Sequence, residues 1–207
     1  MLNSNAAPSP KREIRSGDSP FGDVKIAISG KSGCGNTTVS KMLAEKLGLA
    51  FINFTFRVLA EEKKMELSEI LRRAETDDAW DREVDGRQVS LARAASGCVL
   101  GSRLAIWMLP EADLKVFLTA RSETRVARIL RREGGDARAV AEFTAKRDAR
   151  DRERYIRLYG IDNNDYSFAD LVIDTDDRDP AAVMVLIIRE LEEKRSREQG
   201  RPAHDGR

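Results

Sequence analysis

The chain has 207 residues, 41% of them hydrophobic, enough for one globular domain with a sizeable core. Charged residues make up 34% but cancel to a formal charge of +1, which argues against a protein that coats nucleic acid and needs a basic excess. No apolar run approaches the ~18–20 residues of a membrane span, and two cysteines, Cys34 and Cys98, make no disulfide framework, so a reducing cytoplasm is expected.

Residues 1–20 are polar, with prolines and no apolar signal core, and read as a disordered leader. Residues 196–207, which hold the only histidine, His204, read as a disordered tail, leaving a folded domain over 21–195. An apolar run over 24–29 stops at Gly30 and enters a loop with Gly33 and Gly35. Val39, Met42, Leu43 and Leu47 then follow at helical spacing. In this strand–turn–helix order the first helical N–H groups and the positive end of the helix dipole point into the turn, which suits an anion. Glycines let the backbone curl its N–H groups around a phosphate without Cβ clashes.

Gly30 and Gly35 have the G-x-x-x-x-G spacing of a phosphate loop, and Thr37 falls where the metal-binding hydroxyl belongs. The lysine expected between Gly35 and Thr37 is Asn36. Lys31, inside the loop, either reaches inward to supply that charge or is a solvated loop lysine. A dinucleotide site would need a third glycine where Thr38 stands.

A second strand is expected over 49–54, followed by charged helical text over 57–95 with Gly86 as a break. Its patchy apolar anchors, Trp80 among them, point to short helices laid against the body rather than to a second core. Asp81, Arg82, Asp85, Arg87 and Gln88 form a polar cluster that is either an exposed helix face or a substrate contact. Short β-type runs at 98–100, 114–118 and 171–173 supply three more strands. Cys34 is expected to be a small loop residue, Cys98 a core residue, and Trp80 and Trp107 packing residues. Arg57 and Arg103 follow the second and third strands, at the carboxyl ends where α/β sheets bind ligands.

Between 122 and 159 the chain is very basic, and Gly134-Gly135 splits it into two helices, the second over roughly 136–158. On that helix Arg147, Arg150, Asp151 and Arg154 lie at i, i+3, i+4 and i+7, one stripe. Alone such a stripe is a solvated face. Beside a phosphate loop it becomes a source of guanidinium groups for phosphoryl transfer. Asp179-Pro180 opens a last helix with Val183, Leu186, Ile187 and Leu191 on one stripe. Five strands alternating with helices predict an α/β three-layer sandwich around a parallel sheet.

Several motifs in order resemble the cytidylate kinases, in particular their archaeal-type branch: ISGKSGCGNTTVS at 28–40, DREVDGRQ at 81–88 and GSRLAIWML at 101–109. The likeness continues in ADLKVFL at 112–118, RYIRLYGID at 154–162 and DLVIDT at 170–175, covering nearly everything from 24 to 192. It implies an adenylate-kinase-like P-loop fold with a monophosphate-binding segment at about 54–95 and a lid at about 131–158. It further implies transfer of the ATP γ-phosphoryl group to CMP or dCMP with Mg²⁺. Carried over by motif, Gly30, Lys31, Ser32, Gly33, Cys34, Gly35, Asn36, Thr37 and Thr38 hold the ATP phosphates. Arg57 and Arg103 grip the acceptor phosphate. Arg147 and Arg150 close with the lid, and Asp151 and Arg154 contact the acceptor nucleotide or brace the lid. Leu104 stands where the more common bacterial form has an aspartate, so cytosine recognition shifts to the cluster with Asp81 and Asp85. A monomer handling only small nucleotides is expected, with no membrane or nucleic-acid partner. The rivals are a kinase for another acceptor (AMP, UMP or shikimate) and an ATP-binding regulator without catalysis.

Overall fold

The structure, a computed structural model, describes residues 21–199; the leader expected over 1–20 and the tail from 200 onward lie outside that range. The chain runs β1 (Lys25–Gly30), α1 (Asn36–Leu47), β2 (Ala50–Ile52), α2 (Phe56–Lys63), α3 (Leu67–Ala74) and α4 (Ala79–Ala94). It continues through β3 (Cys98–Gly101), α5 (Ala105–Met108), β4 (Leu114–Thr119), α6 (Ser122–Glu133), α7 (Ala137–Tyr159), β5 (Leu171–Asp174) and α8 (Pro180–Gln199). The five strands form one sheet in the order β2-β3-β1-β4-β5, every pair parallel.

The sheet is apolar on both faces because helices cover both. Ile26, Ile28, Val99, Val116 and Leu118 pack against Val39 and Leu43 of α1 and Val183, Ile187 and Leu191 of α8. The alternate residues Ala27, Leu100 and Phe117 pack against Ala92, Ile106 and Leu109. From β1 the chain steps to one side through α1 to β2, whereas β3 crosses to the other side of β1 to reach β4. The loop after β1 therefore sits at the point where strand order reverses, where such sheets bind ligands.

Several expectations need correction. Gly86 does not break α4, because it lies on the exposed face, where a Cβ would meet nothing within 4 Å, and one helical glycine costs only ~1 kcal/mol. The helices after β2 do enclose a core of their own: Phe54, Leu59, Ala60, Ile70 and Val84 are buried together, with Trp80 packed against them. Leu186 leaves the apolar stripe of α8, 36% exposed between buried Val183 and Ile187. The last helix also runs on through 196–199, the start of the stretch expected as tail.

Candidate active site

The loop after β1 is held from behind by its carbonyl oxygens. Arg125 Nε donates to the Ser32 carbonyl at 2.7 Å, Arg128 Nη1 to that of Gly33 at 3.2 Å, and Thr175 Oγ1 to that of Cys34 at 3.2 Å. Three successive carbonyls thus face α6 and the segment after β5. The N–H groups of Asn36, Thr37 and Thr38 have no backbone acceptor among the described residues. Gly33 sits at φ 86°, and a Cβ there would lie 2.9 Å from the Arg125 Cα, so only glycine allows this approach. Cys34 is more than a small loop residue, since it is 2% exposed and part of the main core. The result is a cradle of N–H donors at a helix N-terminus, fit for phosphate.

Asn36 does not replace the missing charge. Its Nδ2 donates to the Ser102 carbonyl at 3.0 Å and its Oδ1 accepts from Ser40 Oγ at 3.1 Å, so it struts α1 to the end of β3. Lys31 is half-buried and makes no side-chain hydrogen bond or ion pair among the described residues. Thr37 and Thr38 are exposed at the loop mouth. Among the described residues no His, Cys, Asp and Glu cluster forms a metal cage. A Thr37 hydroxyl completed by phosphate oxygens suits Mg²⁺, which keeps several waters and binds substrate phosphates rather than dedicated protein cages.

Arg125 also ties the loop to α7. Its Nη1 and Nη2 donate to the two Asp148 oxygens at 2.7 and 3.0 Å, and its side chain is 7% exposed. Above Ser32 a cavity of about 280 Å³ opens between α6 and α7, with Arg132, Phe143 and Arg147 in its wall. Partial desolvation, then the charge of Arg103, pulls the Arg147 guanidinium below its ordinary pKa, the setting of a cation that gains from an anion between the two. Arg150 and Arg57 are exposed, and neither forms an ion pair or side-chain hydrogen bond among the described residues.

Past β3, Arg103 Nη2 donates to Ser32 Oγ at 2.7 Å while Nη1 pairs with Asp151 at 2.9 Å. Asp151 also pairs with Arg154 at 3.0 Å, and Arg154 with Asp81 at 3.5 Å. Charges therefore alternate from the phosphate loop to α4. The exposed-face expectation fails for three of the five residues of the α4 cluster: Asp81 and Gln88 are buried and Asp85 half-buried, at i, i+7 and i+4 on the side facing α7. It holds for Arg87, which pairs with Glu62 at the surface. Burial raises the Asp81 carboxyl above its ordinary pKa despite the Arg154 charge. Burial likewise pushes Asp85 up to about 6 against the Tyr159 hydroxyl, which donates to it at 2.9 Å. Gln88 Nε2 donates to the other Asp85 oxygen at 3.4 Å. Three buried atoms in this patch, Asp81 Oδ2, Gln88 Oε1 and Arg154 Nε, have no hydrogen-bond partner among the described residues. Buried polar atoms are seldom left so.

A five-stranded parallel sheet with a phosphate loop at its switch point and arginines converging from two helices defines a P-loop kinase. Solved structures share that fold: a shikimate kinase from Acinetobacter baumannii in complex with shikimate (TM-score 0.56, 16% identical, covering 83% of this chain and 94% of that one) and a deoxyadenosine kinase from M. mycoides with bound dATP (TM-score 0.51, 17% identical, covering 82% and 100%). The profile of the cytidylate kinase-like family matches residues 25–177. Cytidylate kinase 2 of Borreliella afzelii is 45% identical over 83% of this chain and 98% of its own length. The cytidylate kinase of Pyrococcus horikoshii is 40% identical over 81% and 88%. The chain belongs to the cytidylate kinase-like family.

Proposed function

We propose that the protein transfers the γ-phosphoryl group of ATP to CMP and dCMP, giving ADP and the cytidine diphosphate, in the cytoplasm and as a monomer. The observation that carries the choice of acceptor is the unpartnered trio on α4 and α7. Cytosine presents an amino group with two N–H donors beside two acceptors, N3 and O2. Asp81 Oδ2 and Gln88 Oε1 can each accept one amino hydrogen, and Arg154 Nε can donate to N3 or O2. Uracil, with keto oxygens and one N–H, would leave an acceptor of the trio unmatched. The relatives named cytidylate kinase support the same acceptor.

The donor phosphates rest on the cradle of Gly30 to Thr38, with Lys31 free to turn toward them and Thr37 beside the metal. Mg²⁺, when bound, would be held by the Thr37 hydroxyl and the phosphates and would neutralise charge on the phosphate oxygens. Arg57 and Arg103 hold the acceptor phosphate, and residues 131–158 close over both nucleotides, exclude water and bring in Arg147 and Arg150. Little covalent work falls to the protein, so positioning and charge stabilisation supply the rate. ADP release with ATP, Mg²⁺ and CMP tests this. Arg147→Ala and Arg150→Ala should lower kcat more than they raise KM; if both leave kcat intact, the lid assignment is wrong.

A further inference from the structure

We propose that Asp85, held by Tyr159, fixes the amide orientation of Gln88 and thereby makes the protein prefer an amino-bearing base to a keto-bearing one. This rests on the cytosine site proposed above and adds to it the device that sets its polarity.

A glutamine amide offers a donor end and an acceptor end of nearly the same shape, so a pocket lined by it reads a base only if its orientation is imposed. An ionised carboxylate only accepts, and Asp85 faces Gln88 at 3.4 Å. The NH₂ end of Gln88 must therefore turn to Asp85, which leaves Oε1 turned away from it. That Oε1 is one of the unpartnered buried atoms, and Gln88 is 5% exposed. The second Asp85 oxygen accepts from the Tyr159 hydroxyl at 2.9 Å, which fixes the carboxylate and favours its ionised form. The other groups acting on Asp85 are Asp81 on its own helix, Arg154 from α7 and Arg103 past β3, one anion against two cations.

Protonated Asp85 becomes a donor toward Gln88, and the amide is then free to present NH₂ to the pocket, where the O4 of uracil can accept. The device acts by positioning, and Asp85 and Tyr159 need not touch the base. Its signature is a change in discrimination rather than a uniform loss of activity.

The test is the ratio of kcat/KM for CMP over UMP in the full-length protein. An amide turned the wrong way leaves a buried hydrogen bond to cytosine unmade, so the ratio should fall about tenfold in Asp85→Asn, whose amide can hold Gln88 either way round. Tyr159→Phe should lower the ratio at pH 7 and shift its fall with acidification to higher pH, because the hydroxyl that favours ionised Asp85 is gone. Gln88→Met should cut CMP turnover and spare UMP. A packing role would move neither the ratio nor the pH profile. If Asp85→Asn misfolds, Tyr159→Phe decides alone. Unchanged ratios in these two variants, with CMP still phosphorylated by the wild type, overturn this device and leave the cytosine assignment standing. No CMP turnover by the wild type overturns both.

Discussion

Replacing Arg125 with methionine separates two jobs done by one guanidinium. It leaves Asp148 with no partner for its charge and removes the donor to the Ser32 carbonyl. Breaking a fully buried pair costs about 3–5 kcal/mol. Asp148 is 19% exposed, so water relieves part of this and about 2–3 kcal/mol is expected. For a domain of this size that lowers Tm by roughly 5–10 °C. In Arg125→Met/Asp148→Leu no unpaired charge remains, and stability should return to within about 1 kcal/mol of wild type. Turnover should not return with it. The loop would still lack its tie to α7, and ångström-scale misplacement of positioning groups costs on the order of a hundredfold. Thermal melts paired with ADP release at saturating ATP and CMP, at a temperature where all variants are folded, measure both. A double variant that regains both Tm and kcat would show that the pair is a structural staple and nothing more.

Gly33→Ala should abolish ATP binding by calorimetry, because its Cβ would meet Arg125 backbone at 2.8–2.9 Å and a left-handed φ resists a side chain. Asn36→Ala should cost about 1–2 kcal/mol in denaturant melts through its lost bonds to Ser102 and Ser40, whereas Lys31→Ala should leave stability within about 0.5 kcal/mol and raise KM for ATP. Asp85 is raised from 3.8 to about 6, so its neutral form stabilises the fold fully below about pH 4 and that contribution is lost as pH rises through about 6. Asp85→Asn should therefore add up to about 3 kcal/mol at pH 8 and nothing at pH 4, read from melts at the two values.

Strand positions were legible because each short apolar run is bounded by glycine, proline or aspartate, and the phosphate loop because its spacing is a backbone requirement. The stripe Arg147, Arg150, Asp151 and Arg154 was visible as periodicity. Its division into buried Asp151, half-buried Arg154 and exposed Arg150 was not, since burial depends on what α4 and β3 bring opposite. Arg125, Arg128 and Asp148 went unnoticed among 36 basic and 35 acidic residues, where nothing local marks a charge that will be enclosed. Thr175 was hidden for a similar reason: it meets the loop across 141 residues of chain. The buried side of α4 was masked by its polarity, because Asp81, Asp85 and Gln88 look like a solvated face until Arg154 and Tyr159 are placed against them.

The acceptor is tested most directly by competition in one vessel. Limiting ATP and Mg²⁺ are given with equal CMP, UMP and AMP, and the diphosphates are separated by chromatography as they form. CDP should accumulate first, matched one for one by the ADP that ATP leaves behind, while UDP stays at background and AMP is not consumed. Equal yields of CDP and UDP, consumption of AMP with two ADP formed per ATP spent, or no diphosphate product beyond background would contradict the cytosine-reading site on α4 and α7.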